Sequence, residues 1–291
     1  QSDFWIKYNA LGCLGQIQHP EVVGVLIEDL NDTREEYGES IQRYAAEVLA
    51  SRSAEATEPL IEVLKSRSIG VRYYAVKALG EIKDPRSIGP LIGLLADKGT
   101  ISLKQPSIYS FPSTSTSYYV PPTTWDYLQQ AKKPHLPLPQ AIQREIYELG
   151  AQGMNEQISK VVEKMLNDNT IRNSVSQQAR KALIHIGEPV VEPLIPLLKD
   201  KDPFVRYGAV SVLGKVTSFL SLMPLAEVLN SDSATEVRMA AALALAESRD
   251  QRAAGFLQDA LATEKKKEVK EVIAKSLENM QSKSPTVMVG N

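Results

Sequence analysis

The chain has 291 residues, of which 43% are hydrophobic and 23% charged, and its formal net charge is -2. This balance excludes the broad basic field with which proteins neutralise nucleic-acid phosphates. Its single cysteine excludes an internal disulfide and a cysteine-built zinc site. No apolar run approaches the roughly 18–20 residues that span a bilayer. Because the sequence begins with Gln1 rather than Met, we expect a trimmed N-terminus.

A ten-residue helix pattern recurs along the chain. In the segment Val71–Gly80, position 0 is Val71, position +4 is Ala75 and position +8 is Leu79. The pattern starts at seven places: Ile6, Ile41, Val71, Val175, Val205, Val237 and Val269. Position +8 is leucine in all seven copies, and position +4 is alanine in six. Because positions 0, +4 and +8 share one helix face, they predict the buried sides of stacked helices.

A second amphipathic stretch, usually opened by a proline, follows each copy of the pattern. Two helices in about 30 residues are typical of HEAT-type repeats. We therefore predict an all-α fold, a HEAT-like α-solenoid forming a right-handed superhelix of about eight helix-pair repeats. A degenerate copy is expected at 141–166, where Leu149 and Gly150 align with Leu79 and Gly80.

One long irregular insertion interrupts this period. We expect repeats one to three in 1–97, the insertion in 98–139, repeats four to eight in 140–280 and a disordered tail in 281–291. The insertion is rich in Pro, Ser and Tyr, and it is either a flexible spacer or a partner-binding segment. Its aromatic residues favour a binding role: Tyr109, Phe111, Tyr118, Tyr119, Trp125 and Tyr127.

Residues for metal or acid–base chemistry are scattered. His19, His135 and His185 stand in unrelated contexts, and the sequence contains no His-Glu pair of the kind that builds HEAT-like di-iron hydroxylases. We therefore predict no metal site, and His185 is expected to be structural. Cys13 occupies position +7 and is expected to be a buried small hydrophobe. Whether the protein is an enzyme stays open at this point.

The outward positions +1, +2 and +3 of the pattern carry most of the functional information. Position +1 is basic in five copies, and we favour structural ion pairs with adjacent repeats over an anion-binding ladder: Lys7, Arg72, Arg206, Arg238 and Lys270. Positions +2 and +3 should face the groove of the solenoid. They give the candidate ligand-binding residues Tyr8, Arg43, Tyr44, Tyr73, Tyr74 and Tyr207. This row suits a flat, anionic, conjugated ligand or a peptide; alternatively, the tyrosines pack between helices.

The N-terminal part resembles a known family. Residues 6–15, 26–30, the Tyr37-Gly38 pair and Arg43–Ala46 resemble the opening of the E-type subunits of phycobilin lyases, and Val71–Ala75 is similar to their Arg-Tyr-Tyr-Ala helix. The resemblance covers residues 1–95. It implies a protein of the cyanobacterial cytosol or plastid stroma, working with an F-type partner subunit. The chain departs from that family in its 98–139 insertion, and it lacks the Asn-His-Cys-Pro motif of isomerising F-type subunits.

Two functions follow from these observations. In the first, the protein is a bilin lyase or bilin chaperone: it holds a linear tetrapyrrole (bilin) in its groove as a substrate and assists attachment to a phycobiliprotein cysteine. Catalysis by positioning would need no dedicated acid–base set. In the second, it is a non-catalytic, cytoplasmic scaffold that binds protein partners through the concave face. Neither function involves nucleic acid or a membrane span.

Overall fold

A computed structural model describes residues 3–36, 39–101, 174–248 and 250–282. Most of the predicted insertion, the degenerate copy at 141–166 and the residues after 282 lie outside these ranges. Thirteen α-helices occur within them. They are α1 (Asp3–Gln16), α2 (Glu21–Asp29), α3 (Ile41–Ser51), α4 (Ala54–Val63), α5 (Ile69–Ile82), α6 (Ile88–Gly93), α7 (Val175–Ile186), α8 (Val191–Leu194), α9 (Pro203–Val216), α10 (Leu222–Ser231), α11 (Thr235–Glu247), α12 (Gln251–Thr263) and α13 (Lys267–Ser282). The predicted all-α class is confirmed.

Short elements join some of these helices. The strands β1 (Glu35–Glu36) and β2 (Glu39–Ser40) pair antiparallel just before α3. Single 3₁₀ turns adjoin the short helices, at Pro85–Ser87, Leu94–Ala96, Glu188–Val190, Ile195–Lys199 and Phe219–Ser221. Several helices begin where the sequence supplies a cap: Ser68 and Ser174 accept hydrogen bonds from the backbone N–H groups of Val71 and Gln177.

Helices of two kinds alternate in the array. The seven odd-numbered helices carry the ten-residue pattern, and we call them template helices; the six even-numbered ones are the outer helices. Neighbouring template helices pack together more extensively than neighbouring outer helices do. The array therefore curves with the template helices on its inner side. The surface that they turn away from the outer helices is called the concave face below.

The core follows the predicted register in the internal template helices. Val71, Ala75 and Leu79 are buried in α5, as are the equivalent residues of α9 and α11. Helix α1 differs: Ile6 is 59% exposed, and Ala10 and Cys13 are exposed too. The prediction of a buried Cys13 was wrong. This face is the one that internal helices turn toward the preceding repeat, and within the described ranges no repeat precedes α1.

Helices α5 and α7 are direct neighbours, although a long segment separates them in sequence. A Cβ atom on Gly80 of α5 would lie 2.8 Å from the Cβ of Ala182 in α7. The equivalent Gly214 and Ala244 of α9 and α11 would come to 2.6 Å. We call the interface between two neighbouring template helices a seam. The α5–α7 seam and the α9–α11 seam therefore contain the same close glycine–alanine contact, and each glycine is needed for it.

The described array continues directly across the segment 102–173. Helix α7 packs on α6 as α11 packs on α10. The two ends of the segment are held together, because Thr100 and Ser174 form an antiparallel bridge and the N–H of Val175 donates to the carbonyl of Gly99 at 2.9 Å. The predicted boundary between 97 and 98 thus falls between an outer helix and the template helix that follows it in the described array.

Candidate functional site

Position +1 of the template helices forms a row of ion pairs, which we call the ladder. Arg206 Nε lies 2.6 Å from Asp232 Oδ2, and Arg206 Nη2 donates to Asp232 Oδ1 at 2.7 Å. Its third nitrogen, Nη1, donates to the carbonyl of Asp200 at 2.9 Å. This arginine therefore joins two successive turns of the array with a bidentate pair.

The same arrangement recurs along the chain. Arg238 pairs with Glu264 at 2.7 Å, Arg72 pairs with Asp97 at 2.7 Å, and Lys7 reaches Asp29 at 2.6 Å. The hydrogen bonds from Arg238 lower the pKa of Glu264 to about 2. The structural interpretation of position +1 is thus confirmed for these helices.

The N-terminal part of the predicted ligand row is engaged in internal contacts. The hydroxyl of Tyr8 donates to Glu39 Oε2 at 2.8 Å, and Arg43 pairs with the same oxygen. The rings of Tyr8 and Tyr44 stack with their centroids 4.4 Å apart. Burial and the hydrogen bond to Glu39 raise the pKa of Tyr8 well above its ordinary value. Arg43 and Tyr44 are half-buried and reach the concave face.

Tyr73 and Tyr74 lie inside the array. Both are buried, and their rings meet edge to face with centroids 5.3 Å apart. Burial raises the pKa of Tyr73 to about 12. Together with Tyr8, they place half of the six predicted ligand residues between helices, where each contributes to packing.

Tyr207 is half-buried on the concave face, and it contacts a residue that the sequence analysis did not select. The guanidinium carbon of Arg180, in α7, lies 5.5 Å from the centroid of the Tyr207 ring. Arg180 occupies position +5, which is a small apolar residue in the nearby helices: Ala46, Val76, Val210 and Ala242. Its neighbour Lys181 is exposed on the same face.

The sequence also did not reveal Glu39 as the partner of Tyr8. It belongs to the irregular stretch before α3, where Glu35 and Glu36 look equivalent in sequence. Only the β1–β2 hairpin brings it to Tyr8, 31 residues away. Arg180 could have been found from the sequence, because it is a charged residue at position +5, where the nearby helices have a small apolar one.

The remaining predicted sites contribute little to the geometry. The aromatic residues of the insertion lie outside the described ranges: Tyr109, Phe111, Tyr118, Tyr119, Trp125 and Tyr127. His185 is exposed near the end of α7. Among the described residues, His, Cys, Asp and Glu form no group able to hold a metal ion. In the same part of the chain, no helix combines the length and apolar character needed to cross a membrane.

Two surface clefts of moderate size occur in the described parts. One, of about 340 Å³, lies between α2 and α4 and is lined by Val23, Ile27, Pro59 and Val63. The other, of about 360 Å³, lies beside the ladder at Arg238 and Glu264. Neither cleft contains a predicted ligand residue.

The architecture defines an α-solenoid of two-helix repeats with a concave inner face. Comparison with family models gives its family: the model for HEAT repeats matches residues 38–110, 158–236 and 221–278. These matches cover more than half of the sequence, and the chain belongs to the HEAT-repeat family. No curated protein matches the chain.

Several solved structures are similar to the chain at low identity. Human deoxyhypusine hydroxylase in complex with glycerol is 18% identical, over 97% of this chain and 92% of that one, with a TM-score of 0.34. The complex of CpcE and CpcF of phycocyanin lyase from Nostoc sp. PCC7120 is 22% identical, over 96% and 91%, with a TM-score of 0.29. A designed armadillo repeat protein in complex with the peptide (KR)4 is 19% identical, over 91% and 100%, with a TM-score of 0.34. These likenesses describe the fold alone.

Proposed function

We propose that this protein is a HEAT-repeat scaffold whose concave face binds an extended segment of a protein partner. The observation that carries the proposal is the continuity of this face across all seven template helices, including the seam between α5 and α7. At about 8–10 Å between packed helices, six steps give a strip of about 50–60 Å. An extended peptide of about 15 residues has this length.

The chemistry of the strip supports binding. Its exposed and half-buried residues mix aromatic, cationic and apolar types, with Tyr44, Lys181, Tyr207, Met239 and Leu243 among them. Several charges on this face are already paired between neighbouring helices: Lys77 with Glu47 at 3.2 Å and Lys215 with Glu247 at 2.7 Å. The shifted pKa values belong to ion pairs, buried tyrosines and one buried arginine.

Site-specific photo-crosslinking in the source cells tests the proposal. A photoreactive phenylalanine is introduced at Lys181 or Leu243, which are exposed on the concave face, and at Gln258 as the control on the outer helix α12. We expect a discrete crosslinked partner from the two concave positions and none from Gln258. Equal crosslinking at Gln258, or no crosslink from either concave position, would contradict the scaffold function.

The second candidate is the bilin lyase or bilin chaperone. The observation that favours it is the half-buried pair of Arg43 and Tyr44, where the Tyr44 ring stacks on the buried ring of Tyr8. Here a linear tetrapyrrole would be the substrate, with a phycobiliprotein and an F-type subunit as partners. This candidate ranks second because Arg43 already pairs with Glu39, so a ligand carboxylate must share or displace that partner.

Co-expression with a bilin source, with and without an F-type subunit, separates the two candidates. A bilin-binding protein would be purified with visible absorbance, and Arg43→Ala would weaken that absorbance, whereas Arg86→Ala on an outer turn would not. A colourless protein in both co-expressions would eliminate the second candidate.

A further inference from the structure

Helix α7 has no basic residue at the ladder position. Its position +1 is Ser176, which is 1% exposed and whose hydroxyl has no hydrogen-bond partner in the described structure. Asp200 stands where the ladder carboxylate of this repeat belongs, since its carbonyl accepts from Arg206 just as that of Asp232 accepts from Arg238. Within the described ranges Asp200 forms no ion pair. One interhelix pair that the neighbouring repeats possess is therefore missing here.

The arginine of α7 stands one turn further along the helix. Arg180 lies in the seam between α7 and α9, next to Gly208. A Cβ atom added to Gly208 would lie 3.8 Å from Arg180 Cδ. The corresponding position +3 is Tyr44 in α3 and Tyr74 in α5. A glycine at this place leaves room for the arginine side chain, which extends toward the ring of Tyr207 on the concave face.

Within the described ranges, Arg180 has no counter-charge. Only 9% of its surface is exposed, and among the described residues no carboxylate forms an ion pair with it. Burial lowers its pKa, and the neighbour that interacts with it electrostatically is Tyr207. The adjacent Lys181 adds positive charge to the same face. A buried cation without a partner is unfavourable, so this position is suited to receive an anion from outside.

The rest of the chain indicates which anion. The ladder arginines Arg72, Arg206 and Arg238 each hold an Asp or Glu carboxylate with two nitrogens. The guanidinium fork matches such a two-oxygen group. Helix α7 is also the fourth of the seven template helices, so Arg180 lies at the middle of the concave face. Residues that dominate binding energy usually lie at the centre of an interface.

We propose that Arg180 and Tyr207 form a carboxylate-binding subsite, which takes an Asp or Glu side chain of the partner segment. This subsite rests on the proposed scaffold function and adds a requirement to it: the segment that binds must carry an acidic residue near its middle.

Fluorescence anisotropy with defined peptides tests the subsite on the full chain. The probe is a labelled ten-residue peptide of alternating Glu and Ala, and its control has Gln in place of Glu. We expect Arg180→Met to weaken binding of the Glu peptide by about tenfold or more. Arg86→Met, which removes the same charge from an outer turn, should change it by about twofold or less. Arg180→Lys should give intermediate binding, because it keeps the charge and loses the fork.

Two results would overturn the subsite. One is equal binding of the Glu peptide by the wild-type protein and by a folded Arg180→Met variant. The other is a wild-type protein that fails to prefer the Glu peptide over the Gln peptide. Thermal melts of each variant show whether it is folded.

The crosslinking experiment distinguishes failure of the subsite from failure of the scaffold function. Crosslinks from Lys181 or Leu243 that persist unchanged in an Arg180→Met background would refute the subsite and leave the scaffold intact. Glu-peptide binding that depends on Arg180, without concave crosslinks in cells, would support the subsite and contradict the scaffold function.

Discussion

Helices α7 and α9 are adjacent and follow the same ten-residue pattern, but they use arginine differently. In α9, Arg206 stands at position +1 and is bound to Asp232 and to backbone carbonyls of the preceding turn. In α7, Ser176 occupies position +1, and Arg180 is buried at position +5 against the ring of Tyr207.

The difference shows that the position of a residue within the repeat decides whether its charge is paired inside the described array. An arginine in the ladder finds a carboxylate at the end of the outer helix that follows it. An arginine one turn later meets a position that the fold fills with small apolar side chains, where no carboxylate is provided. The first kind stabilises the array, whereas the second remains able to bind a carboxylate from another molecule.

The largest effect should be the same in both helices. Leu183 and Leu213 occupy position +8 of α7 and α9, and both are fully buried. Replacing either by alanine removes apolar contacts and leaves a cavity, so each substitution should lower the free energy of unfolding by about 3 kcal/mol. Urea denaturation measures both values. A thermal melt unchanged by Leu213→Ala would refute the register on which the comparison depends.

Removal of the ladder arginine should lower the free energy of unfolding by a similar amount. In Arg206→Met, the nearly buried carboxylate of Asp232 loses its cationic partner. We therefore expect the free energy of unfolding to fall by about 3 kcal/mol. Arg72→Met should cost less, because both members of its pair are more exposed. Urea denaturation of the two variants tests this order. A loss below that of an exposed pair, such as the one broken by Arg86→Met, would show that the ladder has little structural importance.

The ladder should also respond to acid. Arg238 lowers the pKa of Glu264 to about 2 from an ordinary value of 4.5. A lowered pKa in the folded state adds stability above pH 4.5, and this contribution is lost as the pH falls toward 2. The difference in unfolding free energy between wild type and Arg238→Met should therefore narrow between pH 7 and pH 3. A constant difference across this range would contradict the assigned pair.

A smaller effect of opposite sign is expected at Ser176. Its buried hydroxyl has no hydrogen-bond partner in the described structure. Ser176→Ala should therefore raise the free energy of unfolding by about 1 kcal/mol, because the alanine buries no unsatisfied polar group. Ser221→Ala is the matched control, since that buried hydroxyl donates to the carbonyl of Ser218 at 2.7 Å and its loss should be destabilising. Destabilisation by Ser176→Ala would indicate a hydrogen bond at that position.

The regular part of this molecule was predictable from sequence. The fold class and the buried positions of the internal helices follow from spacing, since each repeat meets the same neighbours, and the structural role of position +1 follows from its usual role in HEAT arrays. Cys13 shows where such reasoning fails. It occupies a core position of the pattern, but burial requires a preceding repeat, and α1 has none in the described ranges.

The candidate site was less accessible to sequence reasoning. Tyr8 was selected for its outward position, yet it is buried because Glu39 and Tyr44 converge on it from the hairpin and from α3. Arg180 was overlooked because charge on a helix usually means a solvated face. Its three signals lie apart in sequence: a serine in the ladder, a charge at a seam position and a glycine at position +3 of the next helix.

The stability of Arg180→Met tests the central claim most directly. Arg180 has no ion pair in the described structure, so an uncharged side chain of similar length should keep the packing and remove an unfavourable buried charge. The urea denaturation midpoint should therefore stay the same or rise, while Arg206→Met lowers it. A loss of stability in Arg180→Met equal to that in Arg206→Met would show that Arg180 is a structural residue and would contradict its assignment to ligand binding.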